Sequence, residues 1–114
     1  MQAIDRNELQ ASLKTNPDMV LIEVLDESEF EKYHLPYSMN VPLDSHFEDN
    51  ITAAVPDKDK TVVVYCKNES CDASEKAAKR IEELGYSKVY DYTGGKEDWK
   101  DAGLPIASRE EMRH

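Results

Sequence analysis

The sequence is poor in the features that build a disulfide scaffold, a membrane span or a polyanion-binding face. Two cysteines among 114 residues are too few for a bridged secreted framework, so they stand as free thiols or as one redox pair. No window approaches the roughly 18 consecutive apolar residues that a bilayer crossing requires. The start, Met1-Gln2-Ala3-Ile4-Asp5-Arg6, has neither the basic nor the apolar region of an export signal. A soluble, non-exported, cytoplasmic chain is expected, without membrane partners. Basic residues are outnumbered, 14 against 24 acidic ones, and the resulting net charge of −10 disfavours nucleic acid. The three histidines, His34, His46 and His114, show no ligand spacing with the cysteines, so no metal is expected. Gly94-Gly95 lacks the helix-opening phosphate fingerprint, which leaves a turn and no cofactor cradle.

What is present is an alternation of apolar strands and amphipathic helices, with the length for one domain spanning 1–114. Asp5 and Glu8 make a capping-box pattern ahead of Leu9 and Leu13. Val20 to Val24 reads as a buried strand. Asp26 and Glu29 start a short helix carrying Phe30, which His34-Leu35-Pro36 ends because a residue before proline avoids helix. Met39-Asn40-Val41 is a brief strand, and Ser45 to Ala54 a weaker helix with Phe47, Ile51 and Ala54 inward. Lys88 to Tyr92 is a further strand, and Glu97 to Ala102 a short helix that buries Trp99. Strands separated by helices indicate a parallel α/β sheet.

The most informative stretch is Val62-Val63-Val64-Tyr65-Cys66, followed by Lys67-Asn68-Glu69-Ser70-Cys71-Asp72-Ala73-Ser74. It reads as a strand buried on both faces that ends on a thiol, then a polar loop. Ala77, Ala78, Ile81 and Leu84 follow at helical spacing, with Gly85 as the C-cap and Ser74 as the expected N-cap. Ligands of open α/β sheets bind at the carboxyl ends of strands, and a helix N-terminus offers free N–H groups and partial positive charge. A thiol there favours its thiolate, which is the nucleophile.

With these pieces in order, residues 3–106 closely resemble the rhodanese, or sulfurtransferase, family in its single-domain form, ahead of a charged tail at 107–114. The matching motifs are Leu21-Ile22-Glu23-Val24 with Glu29-Phe30, His34-Leu35-Pro36, Asn40-Val41-Pro42, Val64-Tyr65-Cys66, Ala77-Ala78, Leu84-Gly85-Tyr86, Val89-Tyr90, Gly94-Gly95, Trp99 and Ala102-Gly103-Leu104-Pro105. The resemblance implies a five-stranded, mainly parallel sheet flanked by helices. It also implies a sulfane sulfur carried as a persulfide on Cys66 from a donor to a thiophilic acceptor, with loop amides from Lys67 to Ser74 as an anion-stabilising wall.

The loop departs from that pattern. It runs two residues longer than in common members, without their glycine or closing arginine, and carries Glu69 and Asp72, with only Lys67 to offset them. Two acids oppose thiolate formation and repel thiosulfate. Weak thiosulfate activity is therefore expected, with a small or protein-bound persulfide or polysulfide as donor and a thiol as acceptor. Leu25 and Tyr37 stand where an arginine and a glycine are usual. A Cys-x5-Arg count from Cys66 lands on Asp72, which argues against the phosphatase branch of the fold. Cys71 is either a resolving thiol that attacks the persulfide on Cys66 or an inert filler of the loop. Two other readings are a dithiol redox module using Cys66 and Cys71, and a catalytically silent module that docks a partner.

Overall fold

Val62, Val63, Val64 and Tyr65 are all buried, the outcome expected of a β-branched run with no polar face. The structure is a computed structural model that describes residues 1–108. The strands are β1 (Gln2–Ile4), β2 (Val20–Glu23), β3 (Ser38–Asn40), β4 (Val62–Tyr65) and β5 (Val89–Tyr92). The helices are α1 (Arg6–Thr15), α2 (Glu27–Lys32), α3 (Phe47–Ala54), α4 (Ala73–Glu83) and α5 (Gly95–Asp101). The sheet order is β1-β5-β4-β2-β3, and every pairing is parallel. The expected α/β architecture is thus present.

Alternation along β4 divides the core. Val62, Val64 and Cys66 pack with Phe47 and Ile51 of α3 and with Ala77, Ala78 and Ile81 of α4. Val63 and Tyr65 face the other way, toward Leu9 of α1 and Trp99 of α5. The chain moves to one edge after β2 and toward the opposite edge after β4, so the topological switch point lies between the carboxyl ends of these two neighbours. Cys66 is the first residue beyond β4.

Local chemistry explains the element ends. Asp5 and Glu8 form the capping box at α1, with Glu8 N–H donating to Asp5 Oδ1 at 2.8 Å. His34 ends the turn after α2 by stacking on Phe30, centroids 3.8 Å apart, with its Nδ1 2.8 Å from the Phe30 carbonyl oxygen. Gly85, with φ 103°, follows the C-cap Leu84, and its N–H donates to the Glu82 carbonyl.

Several expectations change. Strand β1 escapes the sequence reading because Gln2-Ala3-Ile4 carries no periodic signal; pairing with Tyr90 to Tyr92 of β5 makes it a strand. Ala54 is exposed and Val55 is the inward residue, because the helix closes there. Helix α5 starts at Gly95, two residues before the expected Glu97. Ala107 exchanges two backbone hydrogen bonds with His34, so the first residue assigned to the tail is pinned. Arg109 to His114 of that tail lie outside the described residues.

Candidate active-site loop

The loop after β4 is sewn to the start of α5. Lys96 N–H donates to the Cys66 carbonyl at 3.0 Å, and Glu97 N–H to the Lys67 carbonyl at 2.9 Å. This contact explains Gly95. Its φ is +72°, and a Cβ there would lie 2.6 Å from Asn68 N and from the Lys67 carbonyl carbon and oxygen. Gly94-Gly95 is therefore more than a turn: it is where α5 meets the loop.

Asn68 organises the rest. Its side-chain amide donates to Glu97 Oε1 at 2.7 Å, its Oδ1 accepts from Ser70 N–H at 3.0 Å, and its carbonyl accepts from Cys71 N–H at 3.1 Å. The turn carries Cys71 back to Cys66, and the two form a disulfide with Cα atoms 6.3 Å apart, within the ordinary bridging range. An unbonded, inert Cys71 does not describe this state. Cys66 is 1% exposed, whereas Cys71 is only partly buried and packs against the same cluster. Lys67, Glu69, Ser70 and Asp72 are exposed, and Asn68 and Ala73 are half-buried.

The amide wall is narrower than expected. The N–H groups of Ser70 and Cys71 are taken up by Asn68, and the first turn of α4, beginning at Ala73 directly beyond the N-cap Asp72, adds a donor-rich end two residues after Cys71. Ser74 is not the N-cap. It lies inside α4 and is buried, on the side of the helix that packs against β5 and its Asp91 carboxyl. Asp91, on β5 opposite Val64, is itself buried, and its Oδ1 finds no hydrogen-bond partner. Burial pushes its carboxyl above the usual range, against the pull of Ser74.

On the opposite face lies a buried ion pair that the sequence reading missed. Lys96 Nζ bonds Glu23 Oε2 at 3.1 Å, the Glu29 carbonyl at 2.8 Å and the Tyr33 carbonyl at 2.9 Å. All three ammonium protons are thereby satisfied, and the Tyr33 ring lies 4.6 Å away. Burial raises the Glu23 carboxyl and Lys96 opposes it. The only available signals were an acid within an apolar strand and a lysine directly after a glycine pair.

Beside the loop, a cleft of about 280 Å³ is lined by Asp5, Arg6, Asn7, Glu69, Tyr92, Thr93, Gly94 and Asp98. Arg6 Nη1 is paired with Asp98 Oδ1 at 2.8 Å, and the Tyr92 hydroxyl donates to Asp98 Oδ2 at 2.6 Å. Its one cation is thus already engaged. Leu25 packs on the apolar cluster, and Tyr37 is 95% exposed with φ 67°, so neither position supplies a charge to the site. Among the described residues, no helix is long and apolar enough to cross a membrane, and no trio of His, Cys, Asp or Glu is grouped to hold a metal.

A cysteine at the switch point of a β1-β5-β4-β2-β3 parallel sheet, headed by a loop that leads into α4, defines a class of domain. The chain belongs to the rhodanese-like domain family, whose model matches residues 5–102. It is 34% identical over 100 residues to the thiosulfate:glutathione sulfurtransferase of Saccharomyces cerevisiae, covering 79% of this chain and 70% of that protein. A sulfurtransferase of Allochromatium vinosum is 28% identical over 107 residues, covering 94% and 95% respectively. Among solved structures, the polysulfide-sulfur transferase homodimer of Wolinella succinogenes has a TM-score of 0.77 at 27% identity, covering 100% of this chain and 83% of that one. Sulfur transfer in general is the chemistry these relatives are named for.

Proposed function

We propose that the protein transfers sulfane sulfur through a persulfide on Cys66. The observation that carries this reading is the placement of Cys66 at the carboxyl end of β4, its carbonyl held by Lys96 N–H and its loop leading into the N-terminus of α4. In the reduced protein the Cys66 thiolate attacks the outer sulfur of a persulfide or polysulfide. A bond forms from Cys66 to that sulfur, the donor's sulfur–sulfur bond breaks, and the donor thiolate leaves with the electron pair. Amides of the first turn of α4 stabilise the terminal sulfur. A thiophilic acceptor then removes it.

The donor class follows from charge. Glu69 and Asp72 are exposed on the loop, and Asp5, Glu69 and Asp98 line the adjoining cleft, an arrangement that repels the thiosulfate dianion. Organic polysulfides and persulfides of low net negative charge, small or carried on a protein, fit better. Mass measurement of the reduced Cys71→Ser variant, in which the second thiol cannot displace the added sulfur, after exposure to zwitterionic cysteamine persulfide and to thiosulfate tests the reading. The expected result is one added sulfur atom from the persulfide, little from thiosulfate, and none on a Cys66→Ala variant. Absence of added sulfur from every donor, in the parent and in a Cys71→Ser variant alike, overturns it.

A further inference from the structure

We propose that Cys71 resolves the persulfide on Cys66 by displacing its terminal sulfur, so that the protein reduces persulfides to hydrosulfide and is reset by a dithiol reductant. This rests on the persulfide reading above and names the fate of the transferred sulfur. The observation behind it is the bond itself: the Asn68 turn delivers Cys71 to Cys66 with Cα atoms 6.3 Å apart, on a loop anchored to α5 through Asn68 and Glu97. A neighbour held this close attacks at an effective concentration far above that of any dissolved thiol.

The step balances without a further reactant. The Cys71 sulfur attacks the Cys66 Sγ of the persulfide; the Cys71–Cys66 bond forms and the bond from Cys66 to the terminal sulfur breaks. That sulfur leaves with the electron pair as hydrosulfide and takes up the Cys71 proton. The sulfane sulfur is reduced by two electrons and the two cysteines are oxidised by two. The structure shows the oxidised product of this step.

Exposure sets the direction of the reset. Cys66 is 1% exposed and Cys71 is only partly buried, so an incoming thiolate reaches the Cys71 sulfur, forms a mixed disulfide there and releases Cys66 as thiolate. The group released is the one that must next act as nucleophile, and it leaves beside the donor-rich first turn of α4. The reductant's second thiol then attacks its own mixed-disulfide sulfur, frees Cys71 and leaves as the reductant's disulfide. While the protein's disulfide stands, Cys71 folded against the same cluster shields Cys66 from donors.

The test uses reduced, desalted full chain and a single equivalent of glutathione persulfide, followed by intact mass, hydrosulfide assay and alkylation. The parent is expected to release one hydrosulfide per molecule, end two hydrogens lighter than the reduced form, and resist alkylation at both cysteines. Cys71→Ser is expected to keep the added sulfur on Cys66 and release at least tenfold less hydrosulfide. A parent that retains the added sulfur with Cys71 open to alkylation overturns the proposal while leaving persulfide formation intact. So does a Cys71→Ser variant that releases hydrosulfide as fast as the parent. Glutathione added to the disulfide form should map to Cys71; finding it on Cys66 overturns the order of attack.

Discussion

At the scale of single residues, two buried sites, the Lys96–Glu23 pair and Asp91, mark where this chain departs from an apolar core. Lys96 ties three acceptors from β2, α2 and the turn after α2, and its removal leaves the Glu23 carboxylate buried without a counter-charge. Breaking one side of such a pair costs about 3–5 kcal/mol, whereas replacing both sides is far milder. Lys96→Met should lower stability by that amount in urea unfolding, and Lys96→Met combined with Glu23→Gln should recover most of it. A double variant no better than the single one would show that the carbonyl contacts carry the effect. Asp91 makes the second prediction. Burial raises its carboxyl, so the folded chain binds that proton more tightly than the unfolded chain does. Its contribution to stability is present in acid and is lost as pH rises from about 4 through the raised value. Asp91→Asn should remove that part of the decline above about pH 4 in unfolding midpoints; an unchanged slope would refute the assignment.

At the scale of elements, the junction of α5 with the loop is the feature to disturb. A methyl group at Gly95 meets the backbone of Lys67 and Asn68 and cannot be accommodated without moving the loop. Gly95→Ala should leave the far-ultraviolet spectrum intact but slow persulfide loading of Cys66 roughly 100-fold, the scale of a small misplacement of reacting groups. Loading at the parental rate would remove the junction from the catalytic account. The elements themselves were largely legible, because Val62 to Tyr65 and the Ala77, Ala78, Ile81 face carry periodicities that survive any context. What was illegible depends on partners distant in sequence. Ser74 looks like a cap until Asp91 is brought opposite it, and Gln2 to Ile4 is a strand only because β5 is beside it. The bond between Cys66 and Cys71 depends on the Asn68 turn, whose side-chain contact to Glu97 spans 29 positions.

At the scale of the whole molecule, the donor preference proposed above rests on charge and can be tested through it. The chain carries a net charge of −10, and the screening length falls from about 30 Å at 0.01 M salt to about 8 Å at 0.15 M. Thiosulfate should therefore react faster as salt is added, while an uncharged organic polysulfide should hardly respond. Equal salt dependence for the two would mean that the acidic surface does not select donors. The sheet has a consequence of another kind. Its two borders, β1 and β3, are only three residues long each, and a border that short gives a neighbouring chain almost no ladder to extend. Colloidal behaviour should follow: stirred at high concentration, the folded protein is protected from strand-to-strand association by the brevity of its outermost strands.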